Sequence, residues 1–265
     1  MIEYSDVYEN YPHVEKWFPQ KWMESEIEKN KHLLIKQLIL DDKQSFKFLD
    51  NLEDCLELVN EEMSKHKTHF RTLQNTDQFN STFAELKVGR FFKNMGFNIE
   101  FEPSLKNGKK ADLKTVLNDE ELYIEVSTRK GIPKGEVVEN NPFEITTIKK
   151  REPIAFKDKI LEEGEQLFKN KPGIVALYLH PSSAPEKRNV IRAFGFDFVW
   201  DKEKGIIEYG ERHETPMISA LLIIIDHADD FTLCLNPKAA NPLPSGIIKK
   251  LGENNVEIID PEIII

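Results

Sequence analysis

Cysteine is scarce, with only Cys55 and Cys234 in 265 residues. Two thiols so far apart in sequence exclude a disulfide framework and a cysteine zinc cluster, and fit a reducing compartment in which both are buried or inert. Long apolar runs are lacking as well. No stretch approaches the roughly twenty residues needed to span a bilayer, and the opening MIEYSDVYENYPHVEK carries acids where a signal peptide would carry lysines, so a cytoplasmic location without membrane attachment is expected. The sequence has no phosphate loop, nucleophile elbow or dinucleotide fingerprint, which leaves the common nucleotide-binding and acyl-transfer enzymes without their signatures. Internal repeats, low-complexity tracts and clear linkers are absent too.

Positive charge is in deficit overall. The net charge of -10 and pI near 5.3 argue against broad, sequence-independent binding to nucleic acid, because such binding depends on releasing counterions from phosphates. The deficit is uneven, however. From Leu86 to Lys114 there are seven Lys or Arg against three acids, and from Thr128 to Arg151 six against three. Ordinary surface lysines account for such runs unless a phosphate-handling site lies between them.

Between those runs lie the residues that carry chemistry. From FAELKVGRFFKNMGFNIEFEP an amphipathic helix leads into two extended segments, ADLKTVL and ELYIEVS, which alternate apolar with polar residues across the polar Asn118-Asp119-Glu120-Glu121. An antiparallel hairpin is expected. A symmetric four-residue turn sets Leu117 opposite Leu122, Lys114 opposite Glu125 and Asp112 opposite Ser127, with all four polar side chains on one face and Leu113, Ile124 and Val126 on the other. Carboxylates on opposed or diagonal ladder positions lie about 5–7 Å apart, close enough for Asp112 and Glu125 to grip one hard cation. Mutual repulsion of such a pair is relieved by a divalent ion or a nearby lysine. On a charged hairpin the plainer reading is the solvated side of a sheet.

The succession of helix glutamate, glycine one turn on, basic turn, Asp112 and Glu125-Val126-Ser127, from Phe83 to Lys130, resembles the PD-(D/E)XK, or restriction-endonuclease-like, nuclease superfamily. The resemblance implies an α/β core with a mixed central sheet flanked by helices. It further implies a nuclease that hydrolyses DNA, or RNA, through a water activated by Mg²⁺ or Mn²⁺. Asp112 and Glu125 would bind the metal and Glu85, on the helix before the hairpin, would support it. The family proline before the first Asp is Ala111 here. The family lysine two residues after the second acid, which positions the attacking water and stabilises the transition state, is Ser127. Lys110, Lys114, Lys130 and Lys157 are available to replace it, and hairpin geometry favours Lys110 and Lys114. The alternative implied by Ser127 and the acidic chain is a nuclease-like fold without catalysis, serving as a nucleic-acid-binding or protein-interaction module. A homodimer, with two sites addressing two strands, is compatible with either reading.

Around this centre, residues 1–80 are rich in Glu, Lys, Leu and Ile. Helical periodicity over Ser25 to Leu40 and Ser45 to Lys65 predicts a helical N-terminal region, followed by a nuclease-like domain over 81–265. His66 and His69 have helical zinc-ligand spacing but no further ligands nearby, and read as surface histidines. A loop over Gly131 to Asn141, a helix over Ile154 to Asn170 bearing Gln166, and a buried strand GIVALYLH ending at His180 follow. MISALLIIID and FTLCLNP predict a second hairpin, whose Asp226, His227, Asp229 and Asp230 form a polar turn rather than a metal site. Ser245 to Leu251 is a short helix, and VEIIDPEIII an edge strand or subunit contact.

Overall fold

A computed structural model describes residues 4–40, 43–60, 67–104, 110–128, 164, 167, 170–179, 198–201, 206–209, 217–225 and 230–260. The chain divides into two compact units, Met1–Asn94 and Met95–Ile265. Helical periodicity places a boundary near residue 80, whereas the compact units divide after Asn94. The helix that precedes the hairpin therefore belongs with the N-terminal helices and not with the sheet.

The first unit is helical: α1 (Tyr4–Asn10), α2 (Pro12–Trp17), α3 (Gln20–Lys29), α4 (Leu33–Leu40), α5 (Lys43–Asn60), α6 (Lys67–Phe70), a 3₁₀ turn (Arg71–Gln74) and α7 (Phe79–Asn94). On α5, Phe48, Leu49, Leu52, Cys55, Leu56 and Val59 recur at helical spacing and are all buried. On α7, Phe79, Phe83, Leu86, Val88 and Phe92 are buried, and so is Glu85. The periodic stretch from Ser25 to Leu40 is two helices rather than one. Asn30 adopts the left-handed conformation (φ 46°) that asparagine tolerates better than most residues, ending α3 before α4 begins. Residues 61–66, including His66, lie outside the described residues.

The second unit is α/β. Its seven-stranded mixed sheet has the order β1-β2-β3-β4-β7-β8-β9, from β1 (Asn98–Phe101), β2 (Leu113–Leu117), β3 (Glu120–Thr128), β4 (Gly173–Leu179), β7 (Ala220–Ile225), β8 (Asp230–Leu235) and β9 (Glu257–Ile259). A separate two-stranded sheet pairs β5 (Phe198–Asp201) with β6 (Ile206–Tyr209), and α8 (Ser245–Glu253) precedes β9. β1, β2 and β3 are antiparallel, β3, β4 and β7 parallel, β8 antiparallel to β7, and β9 parallel to β8. Every residue of β4 is buried, as an unbroken apolar run requires when both faces of a parallel strand are covered. The second hairpin, the short helix and the edge strand all form as the sequence predicts. β1, β5 and β6 are not among the elements expected from the sequence.

The first hairpin differs from expectation in register. Its turn is two residues, Asn118 and Asp119, with φ of 49° and 67°, and Leu117 pairs with Glu120 and Leu113 with Ile124. Left-handed φ at both central positions is the signature of a type I′ turn, whose twist matches the strands it joins, so it prevails over the looser four-residue turn. Lys114 consequently faces Tyr123 rather than Glu125. The register slips by two residues and not one, so every side chain keeps its predicted face. Glycine adopts the conformation of Asp119 without a Cβ penalty. Asp119→Gly is accordingly expected to stabilise the protein by up to about 1 kcal/mol, seen as a higher midpoint in thermal denaturation; a lower midpoint would contradict the turn assignment.

Candidate functional site

The observed register is what brings the two acids together. Continuing the Leu113–Ile124 pairing by one residue sets Asp112 opposite Glu125. At this point β2 gives way to a bend, and the Asp112 side chain takes the place of a ladder contact: its Oδ2 accepts from the Val126 backbone N–H at 2.7 Å. The Asp112 carbonyl in turn accepts from Glu102 N–H at 2.9 Å, at a residue with φ 45° just beyond β1. The carboxylate of Asp112 is thus fixed by main chain on the strand that carries Glu125.

Glu125 and Ser127 are 2% and 3% exposed, so neither stands on the solvated side of a sheet. Both lie in the later part of β3, and their parallel partners are Val175 and Leu177, which pair onward with Leu221 and Ile223. Those four aliphatic residues belong to an apolar cluster with Ala111, Tyr123 and Cys234. An ionised carboxylate in such surroundings is costly unless a cation or a set of hydrogen bonds compensates it. Both strands that flank Glu125 are positioned by sequence-local features, the I′ turn on one side and the all-apolar β4 on the other.

The two favoured lysines hold other acids. Lys114 Nζ lies 2.8 Å from Glu121 Oε1 and 6.0 Å from the centroid of the Tyr123 ring, and Lys171 Nζ reaches the other Glu121 oxygen at 3.1 Å. Hydrogen bonds from these two ammonium groups hold the Glu121 carboxyl below the usual range, and the Glu121 bond raises the Lys114 ammonium above its ordinary value. Lys110 Nζ pairs with Glu102 Oε1 at 3.1 Å, in a largely exposed position. Lys130, Lys157, Gln166, His180, the loop over 131–141 and the acidic turn residues Asp226, His227 and Asp229 lie outside the described residues.

Glu85 belongs to the helical unit, where its Oε2 lies 2.6 Å from His69 Nε2. His69 is not the free surface histidine that its spacing suggested. Its carbonyl accepts from Thr72 Oγ1 at 2.6 Å, and Thr72 in turn contacts Thr82 of α7 at 2.6 Å, which fastens the histidine segment to the helix bearing the glutamate. Nothing in the sequence short of this contact links His69 with Glu85, sixteen positions apart.

The hairpin therefore offers two carboxylates and one hydroxyl, hard oxygen donors of the kind Mg²⁺ or Mn²⁺ takes, with water and phosphate oxygens able to complete the shell. Among the described residues no group of three or more His, Cys, Asp or Glu side chains gathers to hold a metal. Both cysteines are buried, and burial pushes each thiol up to about 12, which removes them as thiolate ligands or nucleophiles at neutral pH. No described helix is long and apolar enough to cross a membrane. Compared with protein-family models, curated proteins and solved structures, the chain matches none.

Proposed function

We propose that the protein is a metal-dependent phosphodiesterase of the restriction-endonuclease-like kind, hydrolysing DNA ahead of RNA. The observation that carries this reading is that Asp112, next to the last hairpin pair Leu113–Ile124, binds the backbone N–H of Val126 beside Glu125, whose side chain is buried on the same strand. Asp112 and Glu125 would hold Mg²⁺ or Mn²⁺. When bound, the ion supplies Lewis acidity toward a water and the phosphodiester and screens the charge that builds on phosphorus.

The protein's own contributions are positional. The Val126 N–H holds Asp112 in one orientation, so little ordering is left for the moment of binding. Ser127, on the same face as Glu125, offers a hydroxyl but no charge. The cation that the superfamily motif places there would come from Lys110 or Lys114. Either would exchange Glu102 or Glu121 for a substrate phosphate, another anionic acceptor for an ammonium. Phosphate contacts of this kind position a substrate without selecting its sequence.

One observation favours a second reading, a nuclease-like fold without catalysis that binds nucleic acid or another protein. Ser127 occupies the lysine position, and both nearby lysines are engaged by other acids. Cleavage of labelled single- and double-stranded DNA and RNA separates the two readings, with Mg²⁺, Mn²⁺ or chelator and with wild type beside Asp112→Ala. Metal-dependent cleavage lost in the variant is the expected result. Wild-type cleavage no greater than the variant's background would leave the binding module.

A further inference from the structure

His32 is fully buried in the helical unit and takes no part in the site above. It is the residue that opens α4: its carbonyl accepts from Lys36 N–H at 3.1 Å, and its ring Nδ1 accepts from Leu34 N–H at 3.2 Å, as a capping side chain does. The other ring nitrogen, Nε2, lies 2.8 Å from the Leu73 carbonyl oxygen in the 3₁₀ turn. A peptide N–H only donates and a carbonyl only accepts. The ring is therefore held in one state, neutral, with its proton on Nε2. Rings of Phe18, Trp22 and Phe79 surround it at centroid distances of 6.0, 4.8 and 4.8 Å.

We propose that His32 is an acid-sensitive latch of the helical unit: a proton on Nδ1 ends the cap on α4 and releases the start of that helix, while Nε2 keeps its bond to the 3₁₀ turn. Three effects act in the same direction. Protonated Nδ1 becomes a donor facing the donor N–H of Leu34. The cation would sit at the N-terminus of α4, the end of a helix that disfavours positive charge. It would also be buried among apolar rings, and burial is the dominant influence, lowering the ring pKa below its ordinary value against weaker opposing pulls from the Leu73 carbonyl and Glu26. Glu26 of α3 is the charged group acting on the ring, and its carboxylate is shared with Lys29 at 2.6 Å. From the 3₁₀ turn the ring meets the Leu73 carbonyl, and from α7 the Phe79 ring.

The direction in pH follows from linkage. The unfolded chain takes up a proton on His32 near pH 6.5 and the folded chain only at lower pH. The latch therefore contributes in full above about 6.5 and is lost progressively as pH falls below it, by up to about tenfold in the unfolding constant per pH unit. This inference does not depend on nuclease activity.

The test compares denaturant unfolding of the full chain between pH 7.5 and 5.5 in wild type and His32→Gln, whose amide keeps a donor for Leu73 and does not titrate. Wild type is expected to lose up to about tenfold more in folding equilibrium per pH unit below 6.5 than the variant. Equal slopes would overturn the proposal. Should the variant not fold, ring nitrogen shifts of wild-type His32 decide. A proton on Nε2 and a midpoint below 6.5, accompanied by loss of Leu34 amide protection, support the latch; titration near 6.5 with that protection unchanged overturns it.

Discussion

Glu125→Gln is expected to reduce metal-dependent cleavage by roughly a hundred- to a thousandfold, the scale on which enzymes lose rate when one preorganised electrostatic partner of the transition state is removed. Glutamine keeps the volume and the extended backbone of β3, so the loss comes from charge and not from packing. Metal binding provides a second readout that does not require catalysis. A divalent ion at one hundred times its dissociation constant stabilises the folded state by about 2.7 kcal/mol. For a unit the size of Met95–Ile265 this corresponds to a rise in thermal midpoint of roughly 5–10 °C. The wild type should show that rise with Mn²⁺ and the Glu125→Gln variant should not. A wild type that gains nothing from Mg²⁺ or Mn²⁺ would remove the metal from the site. A variant that gains as much as wild type would remove Glu125 from the ligand set.

Phe79→Ala should produce the largest loss of stability in the helical unit, about 3–5 kcal/mol, as large-to-small changes of fully buried aromatic residues do. Phe79 is completely buried at the start of α7 and packs its ring against those of Phe18, His32, Phe48 and Phe83, at centroid distances of 6.4, 4.8, 6.2 and 5.6 Å. Removing it opens a cavity and strips four tilted or edge-on ring contacts at once, and the rigid neighbours cannot collapse to fill the space. Phe46, 44% exposed on α5, is the matched control: Phe46→Ala should change stability by less than about 1 kcal/mol. Denaturant unfolding followed by the helical circular dichroism signal distinguishes the two. Similar midpoints for both variants would mean that the aromatic cluster does not hold this unit together.

The same cluster explains why His32 escapes a reading by motif. An isolated histidine in Asn30-Lys31-His32-Leu33 carries no sign that one nitrogen caps a helix while the other reaches a carbonyl 41 residues away. His69 is similar. Its spacing from His66 suggested a zinc ligand or a surface residue, whereas the partner that matters, Glu85, lies on a helix that periodicity alone places but does not orient.

Legible in the residues alone are the α/β character of the second unit, its hairpins, the strands β4, β7 and β8, the terminal helix and edge strand, and the shared face of Glu125 and Ser127. Those features depend on local alternation, unbroken β-branched runs and turn residues, and a strand's facing survives a two-residue error in register because its period is two. Which residues stand opposite one another is set by the folded hairpin, because Asn118 and Asp119 each accept a left-handed backbone whose adoption no spacing rule guarantees. The burial of Glu125 was likewise invisible in an alternating strand. It depends on Val175 and Leu177, supplied by a parallel neighbour fifty residues downstream. The grouping of α7 with the N-terminal helices follows from long-range packing of its buried face, which amphipathic periodicity announces without naming its partner.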